Sequence, residues 1–402
     1  MNANQETEVT VLQTVAMDER LDVRRRLEQL CFWKQSWEQE DQLLAQRAIQ
    51  LEGSKYLDIQ KGVQIANVRR RLRLNLIKEP IEIAPELVTE TSYPVLRQKL
   101  VQQFATLTNA DRQLWLNNFL FILTPDLRQL NDKIETVRRF RSFGQQRNFL
   151  LGGESGMGKT TYLNWLTANL IPTIETDRNR VPIVKIDAPE SSKYTPKPLF
   201  QRMILECGMH YLQSDNEEEL LQKLALYFQK CQVEVLIVDE VEHLTRREVR
   251  RRLLEISNLS PGLPIICASC HPYKWVAGDL EIAGRWNDYF ELRQYTGERL
   301  RQLLAFLELL LPFTQPSALA ATEIQIGPKR RDRVEGPARL IEKWTGGILR
   351  DIMILILDAS SRAIQNGLPH LSPELLAATW QDIQTNQVTD FLRLSRRNGR
   401  SQ

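Results

Sequence analysis

Gly153-Glu154-Ser155-Gly156-Met157-Gly158-Lys159-Thr160 gathers glycines, a lysine and a hydroxyl into the spacing G-x-x-x-x-G-K-T, with Thr161 following. Glycines at this spacing let backbone N–H groups turn inward around phosphates. The lysine then meets the outer phosphates, and the threonine hydroxyl is a ligand for Mg²⁺. A second set of groups lies downstream, where Val235-Leu236-Ile237-Val238 runs into Asp239-Glu240. With a phosphate loop upstream, the first acid is placed to hold Mg²⁺ through water and the second to polarise an attacking water. Together the two motifs imply binding and hydrolysis of ATP with Mg²⁺. They make residues 153–161 the nucleotide-binding set, Thr160 and Asp239 the metal-binding pair, and Asp239 and Glu240 the catalytic acids.

Such groups need strands to deliver them. Asn148-Phe149-Leu150-Leu151-Gly152 is apolar enough for a buried strand, and Thr161 to Leu166 has helical spacing, so the loop lies between strand and helix. The helix N-terminus adds its partial positive charge to the phosphate site. Further strands are expected at Val181–Ile186, Val235–Asp239, Leu263–Ala268 and Tyr289–Leu292, with a helix over Lys197–Leu212. Strands alternating with helices predict a parallel sheet wrapped by helices. From Thr296 to about Ile383 the pattern is almost wholly helical, which predicts a separate helical lid.

The remainder of the chain sets limits. With 402 residues it exceeds one typical domain. The expected division is a disordered stretch at 1–20, a mainly helical region suited to partner docking at 21–125, a nucleotide-binding α/β core at 126–294, a lid at 295–385 and a basic tail at 386–402. Leu30, Phe32, Trp33 and Trp37 in front, with Phe391 and Leu392 behind, are candidate docking anchors. Charges balance at 53 Lys+Arg against 50 Asp+Glu, so nucleic-acid binding must rest on local patches. Five scattered cysteines fit a reducing compartment, and Cys267-Ala-Ser-Cys270 reads as buried thiols, since no partner motif completes a metal site. No signal peptide or membrane-length apolar run occurs, so the expected location is cytoplasmic.

Three later residues narrow the class. Ser269 follows the fourth strand, where a small hydroxyl serves either the attacking water or a turn. Arg285 stands before the last strand, where AAA+ ATPases place an arginine that reaches a neighbouring subunit's nucleotide. Arg350, in Gly346-Gly347-Ile348-Leu349-Arg350-Asp351, matches the lid arginine of AAA+ proteins that senses the outer phosphate. With these in view, roughly residues 125–385 resemble the TniB/TnsC family of AAA+ transposition ATPases. The resemblance rests on Ile183-Val-Lys-Ile-Asp-Ala-Pro189, Asp239-Glu-Val-Glu-His-Leu244, Leu310-Leu-Pro-Phe-Thr-Gln-Pro-Ser317, Thr345-Gly-Gly-Ile348 and Ala363-Ile-Gln-Asn-Gly367.

That resemblance implies an AAA+ P-loop core with a parallel sheet flanked by helices, a C-terminal helical lid and a mainly helical N-terminal region. It implies a homo-oligomer, ring or helical filament with six subunits per turn, on double-stranded DNA. Its partners would be a transposase and a TniQ/TnsD-type target selector of a transposon, CRISPR-associated ones included. Hydrolysis would control disassembly. In such a ring the basic run Thr245-Arg-Arg-Glu-Val-Arg-Arg-Arg252 would face the pore, making Arg246, Arg247 and Arg251 candidate DNA contacts. Lys193 matches a DNA-touching region of the family. A solvated basic helix face is the competing reading of the run. At the level of function, an initiator-type helicase-loading or DNA-remodelling ATPase and a non-catalytic nucleotide-sensing scaffold are the alternatives.

Overall fold

The computed structural model describes residues 22–32, 35, 39, 92–119, 122–141, 147–170, 173–174, 179–193, 195–209, 211–260, 262–325 and 333–398. Trp33, Trp37, Tyr194 and the stretch 1–20 lie outside them, as do the side chains of Phe391 and Leu392. The chain divides into two compact units, one comprising Phe32–Ile77 with Pro125–Arg293 and the other Met1–Cys31, Lys78–Thr124 and Gln294–Gln402.

The chain enters through helices of the second of these units. Residues 23–32 form α1, followed by α2 (Ser92–Ala105) and α3 (Asn109–Phe119). Apolar positions three and four apart bury Val23, Leu27 and Leu30 against Leu96, Leu100, Phe104, Trp115 and Phe119. Leu309 and Leu310, some two hundred residues on, complete this core. Residues of the mainly helical region expected at 21–125 therefore share an interior with residues of the segment read as a lid. Leu30, an expected docking anchor, is core, whereas Phe32 is 69% exposed. Between α2 and α3 the chain stops and restarts at Thr108, whose hydroxyl accepts from the Asp111 N–H while the Asp111 carboxylate accepts from Thr108 N.

The sheet-bearing unit follows. Here α4 (Pro125–Arg141) leads to β1 (Phe149–Gly152), α5 (Lys159–Asn169), β2 (Ile183–Asp187), α6 (Lys197–Glu206), α7 (Glu217–Lys230) and β3 (Val235–Asp239). Then come α8 (Arg247–Leu259), β4 (Ile265–Ala268), α9 (Pro272–Val276), α10 (Leu280–Arg285) and β5 (Asp288–Glu291). The strands form one sheet in the order β2-β3-β4-β1-β5, every neighbouring pair parallel. β1, β3 and β4 are buried along their whole length, which is why they read as unbroken apolar runs rather than alternating ones. All five expected strands are present, shifted by a residue or two at their ends. α7 has no counterpart in the sequence reading, although Asn216 and Glu219 form a reciprocal cap at its start and Leu220, Leu221, Leu224 and Phe228 bury one face. The helix expected to reach Leu212 ends at Glu206.

The chain returns to the unit of α1, α2 and α3 as α11 (Gly297–Leu310), α12 (Pro337–Thr345), α13 (Leu349–Gln365) and α14 (Pro373–Asn398). This part, read as almost wholly helical, holds one short exception. Glu323–Gln325 and Arg333–Glu335 pair as an antiparallel ribbon with Ile324 opposite Val334. Three residues per strand are too few to show a period of two against helical surroundings. The segment Leu311-Pro-Phe-Thr-Gln-Pro-Ser317 gains a physical account here. Glu308, buried in the last turn of α11, accepts hydrogen bonds from the N–H groups of Ser317, Ala318 and Leu319 at 2.7, 2.8 and 2.9 Å. Arg97 of α2 donates to the carbonyls of Glu308, Phe313 and Gln315 at 3.1 to 3.3 Å.

Candidate nucleotide site

The parallel sheet sends the C-terminal ends of β1, β3 and β4 to one edge, the edge where ligands of open α/β sheets sit. β1 releases the chain into the glycine loop. Gly153, Gly156 and Gly158 have φ of 138°, 85° and 88°, a region costly for any residue with a Cβ. At Gly153 a Cβ would stand 2.6 Å from the carbonyl oxygen of Leu292, so crowding as well as torsion demands glycine. The turn delivers the N-terminus of α5, with Gly158 as its left-handed cap residue. Lys159 is 8% exposed, and its ammonium donates to Gly153 O at 2.5 Å and Glu154 O at 3.0 Å. The lysine is thus held inside the loop whose phosphates it is expected to meet.

β3 brings the acids to the same place. The Thr160 hydroxyl donates to Asp239 Oδ2 at 2.7 Å, and Asp239 Oδ1 accepts the Glu240 N–H at 3.0 Å. Residues 79 positions apart are thereby brought together, as the motifs require. Mg²⁺ fits this donor set, which offers one hydroxyl and one carboxylate beside a phosphate loop. Among the described residues no group of three or more His, Cys, Asp and Glu forms a metal cage. Mg²⁺ keeps several waters and takes phosphate oxygens, so it needs no such cage.

Glu240 shows a feature its sequence does not announce. It has φ 57° and ψ 41°, the left-handed region, although it carries a full side chain. Such a conformation costs on the order of 1 kcal/mol and persists only where neighbours hold it. The N–H bond to Asp239 and the tight turn Val241–His243 do so here, with His243 Nδ1 2.9 Å from Ala188 O. The result is an exposed carboxylate directly beside a buried one.

The other expected site residues fall differently. Ser269 is buried, and its oxygen accepts the His271 N–H at 3.1 Å, so it serves the turn; its own proton remains available as a donor. Arg285 ends α10, exposed, with no hydrogen bond or ion pair to a described residue. Arg350 belongs to the other unit, where it is exposed and paired with Asp351 at 3.1 Å. Cys267 is fully buried, and burial pushes its thiol well up, whereas half-buried Cys270 has its sulfur 3.8 Å from Lys159 Nζ.

The basic run after β3 forms α8, and most of it is already engaged. Arg247 pairs with Asp279 at 2.6 Å, Arg251 with Glu281 at 3.0 Å, Arg252 with Glu255, and Arg250 donates to Trp275 O. The Arg247 guanidinium holds the Asp279 carboxyl below its ordinary range. Arg246, just before α8, and Lys193, ending the turn Glu190–Lys193, are exposed. Sequence reasoning also passed over Lys185, which is buried beside Asp239.

A family model described as AAA domain matches residues 141–272. No curated protein matches the chain. Among solved structures, the Aeropyrum pernix ORC2 protein in its ADPNP-ADP complexes is similar at 14% identity and TM-score 0.44, over 64% of this chain and 69% of that one. The Aeropyrum pernix ORC1 protein in complex with DNA gives 13% and 0.42, over 68% and 71%. Cdc6p from Pyrobaculum aerophilum gives 13% and 0.42, over 64% and 68%. With the five-stranded parallel sheet, the glycine loop and the acid-ended β3, the chain has the AAA+ P-loop fold.

Proposed function

We propose that this protein is an ATPase that assembles on double-stranded DNA and regulates transposition, connecting a target selector to a transposase. The observation that carries the enzymatic part is the 2.7 Å bond between Thr160 and Asp239, with Glu240 one residue further on. Backbone N–H groups of residues 153–160 cradle the triphosphate, and Lys159 turns from the loop carbonyls to its outer phosphates. Thr160 and Asp239 hold Mg²⁺, which draws charge from the phosphate oxygens when bound. Glu240 accepts the proton of the attacking water, and Ser269 has a hydroxyl proton to orient it. Arg285, exposed and unpaired among the described residues, is suited to act on the nucleotide of an adjacent subunit. The TniB/TnsC resemblance assigns Arg350 to sensing the outer phosphate.

The DNA and transposition parts rest on the TniB/TnsC resemblance. Within it, Lys193, Arg246, Arg247 and Arg251 are the candidate phosphate contacts, and Arg247 and Arg251 have carboxylate partners that DNA would have to displace. The test separates binding from turnover. Lys159→Ala abolishes binding of a fluorescent ATP analogue, because the loop loses its cation. Glu240→Gln keeps that affinity and lowers phosphate release ~100-fold or more. Equal loss of affinity in both variants refutes these roles. Electron microscopy of Glu240→Gln with ATP and DNA of arbitrary sequence then reads the assembly: continuous rings or filaments support the DNA reading, and particles confined to one sequence favour an initiator.

A further inference from the structure

Lys185 is the middle residue of β2, and it is 2% exposed. Its ammonium donates to Asp187 Oδ1 at 2.5 Å and stands 3.8 Å from Asp239 Oδ2, the oxygen that also accepts the Thr160 hydroxyl. The strand register explains the cluster. Asp187 and Asp239 are direct partners across β2 and β3, so two carboxylates stand side by side where the strands end. Lys185 and Asp187, two apart on one strand, project to the same face. Like charges facing each other across a sheet repel, and a buried ammonium with no carboxylate partner is costly. Each element of the triad needs the others.

We propose that Lys185 is an internal counter-ion that occupies electrostatically the place of the divalent cation, so that the acid site takes up metal only together with a triphosphate. Without nucleotide, the site offers Mg²⁺ two carboxylates whose charge one ammonium half cancels, and that ammonium repels a second cation nearby. A bound triphosphate adds several negative charges at the glycine loop and tips the balance towards the metal. The proposal rests on the assignment of Thr160 and Asp239 as the metal-binding pair.

The experiment titrates nucleotide-free full-length protein with Mn²⁺ alone, read as loss of the free Mn²⁺ signal in electron paramagnetic resonance. Lys185→Met, apolar and of similar length, binds Mn²⁺ about tenfold more tightly than the native protein. Lys185→Arg keeps the charge and stays within about twofold. Asp187→Asn, at a half-exposed position, leaves the whole ammonium facing Asp239 and weakens Mn²⁺ binding about threefold or more. Unchanged or weaker binding in folded Lys185→Met overturns the proposal, as does an Arg variant that behaves like Met. Should Lys185→Met fail to fold by circular dichroism, Lys185→Gln, polar and uncharged, decides in its place: tighter binding supports the counter-ion, and unchanged or weaker binding overturns it. A parallel titration with a non-hydrolysable ATP analogue tests the underlying assignment. If Asp239→Asn holds Mn²⁺ there as well as the native protein does, the metal pair itself is wrong and the proposal falls with it.

Discussion

The Asp279 carboxylate meets Arg247 at 2.6 Å, Arg251 at 3.7 Å and the N–H groups of Glu281 and Ile282 that open α10. Asparagine keeps the capping oxygen and loses the charge. Asp279→Asn therefore frees Arg247, while Arg251 keeps Glu281, and under the DNA reading its affinity for duplex rises. The slope of log K against log salt steepens by up to about 0.9, the value for one phosphate newly contacted. Fluorescence anisotropy across a salt series reads this, and an unchanged slope places DNA away from α8. The same substitution carries a pH signature. Because Arg247 lowers the Asp279 pKa in the folded state, the ion pair's stabilisation is complete above the unfolded value near ~3.9 and is lost as pH falls through the folded value. The difference in Tm between native protein and Asp279→Asn should be constant from pH 5 to 8. It should close below about pH 4. At this scale the sequence was legible where chemistry dictates spacing, as at Lys159, Thr160 and Asp239. It was silent where partners meet only through the fold. Asp279 lies 32 residues beyond Arg247, so the run that reads as a free basic patch is largely neutralised.

Among the elements, the strands could be read because a strand buried on both faces is an apolar run with a definite length, as Val235–Asp239 shows. The ribbon at 323–325 and 333–335 could not, since its pairing is non-local and each strand spans only three residues. The signal for α7 does stand in the sequence, in Asn216-x-x-Glu219 before Leu220, Leu221 and Leu224. The turn after α11 adds a case where a motif and its cause are separate. Leu311 to Ser317 is recognisable as a string, yet its shape is imposed by Glu308 before it and Arg97 far upstream. Glu308→Ala leaves three backbone donors without their acceptor, two of them classed as buried bonds, and should cost about 3 kcal/mol. Urea unfolding followed by circular dichroism measures this. A loss under about 0.5 kcal/mol would mean the turn closes without the carboxylate.

For the assembled molecule, the decisive residue is Arg285, because its proposed target lies on another copy. Arg285→Ala should leave the nucleotide affinity of a subunit unchanged while turnover in the assembly falls ~100-fold or more. Mixed with Glu240→Gln, itself nearly inactive, it should restore some phosphate release, since a subunit with intact Glu240 can then face an intact Arg285. No recovery at any ratio removes action in trans.

The interior that joins α1, α2 and α3 to Leu309 and Leu310 has a temporal meaning. A ribosome delivers α1, α2 and α3 well before α11 exists. The strands of the described sheet and the helices between them, by contrast, follow one another from Pro125 to Glu291. Domains fold as units during synthesis, and long-range pairing waits for its later strand or helix. The phosphate site should therefore mature on the nascent chain while Val23, Leu96 and Trp115 still lack their closing partners. Chains stalled with residue 293 clear of the exit tunnel should already protect 125–293 from protease and hold a fluorescent ATP analogue, while 92–119 is cut. Protection of 92–119 should arrive only once Leu310 has emerged. Protection of the front helices before that point would show that they fold without waiting for the end of the chain.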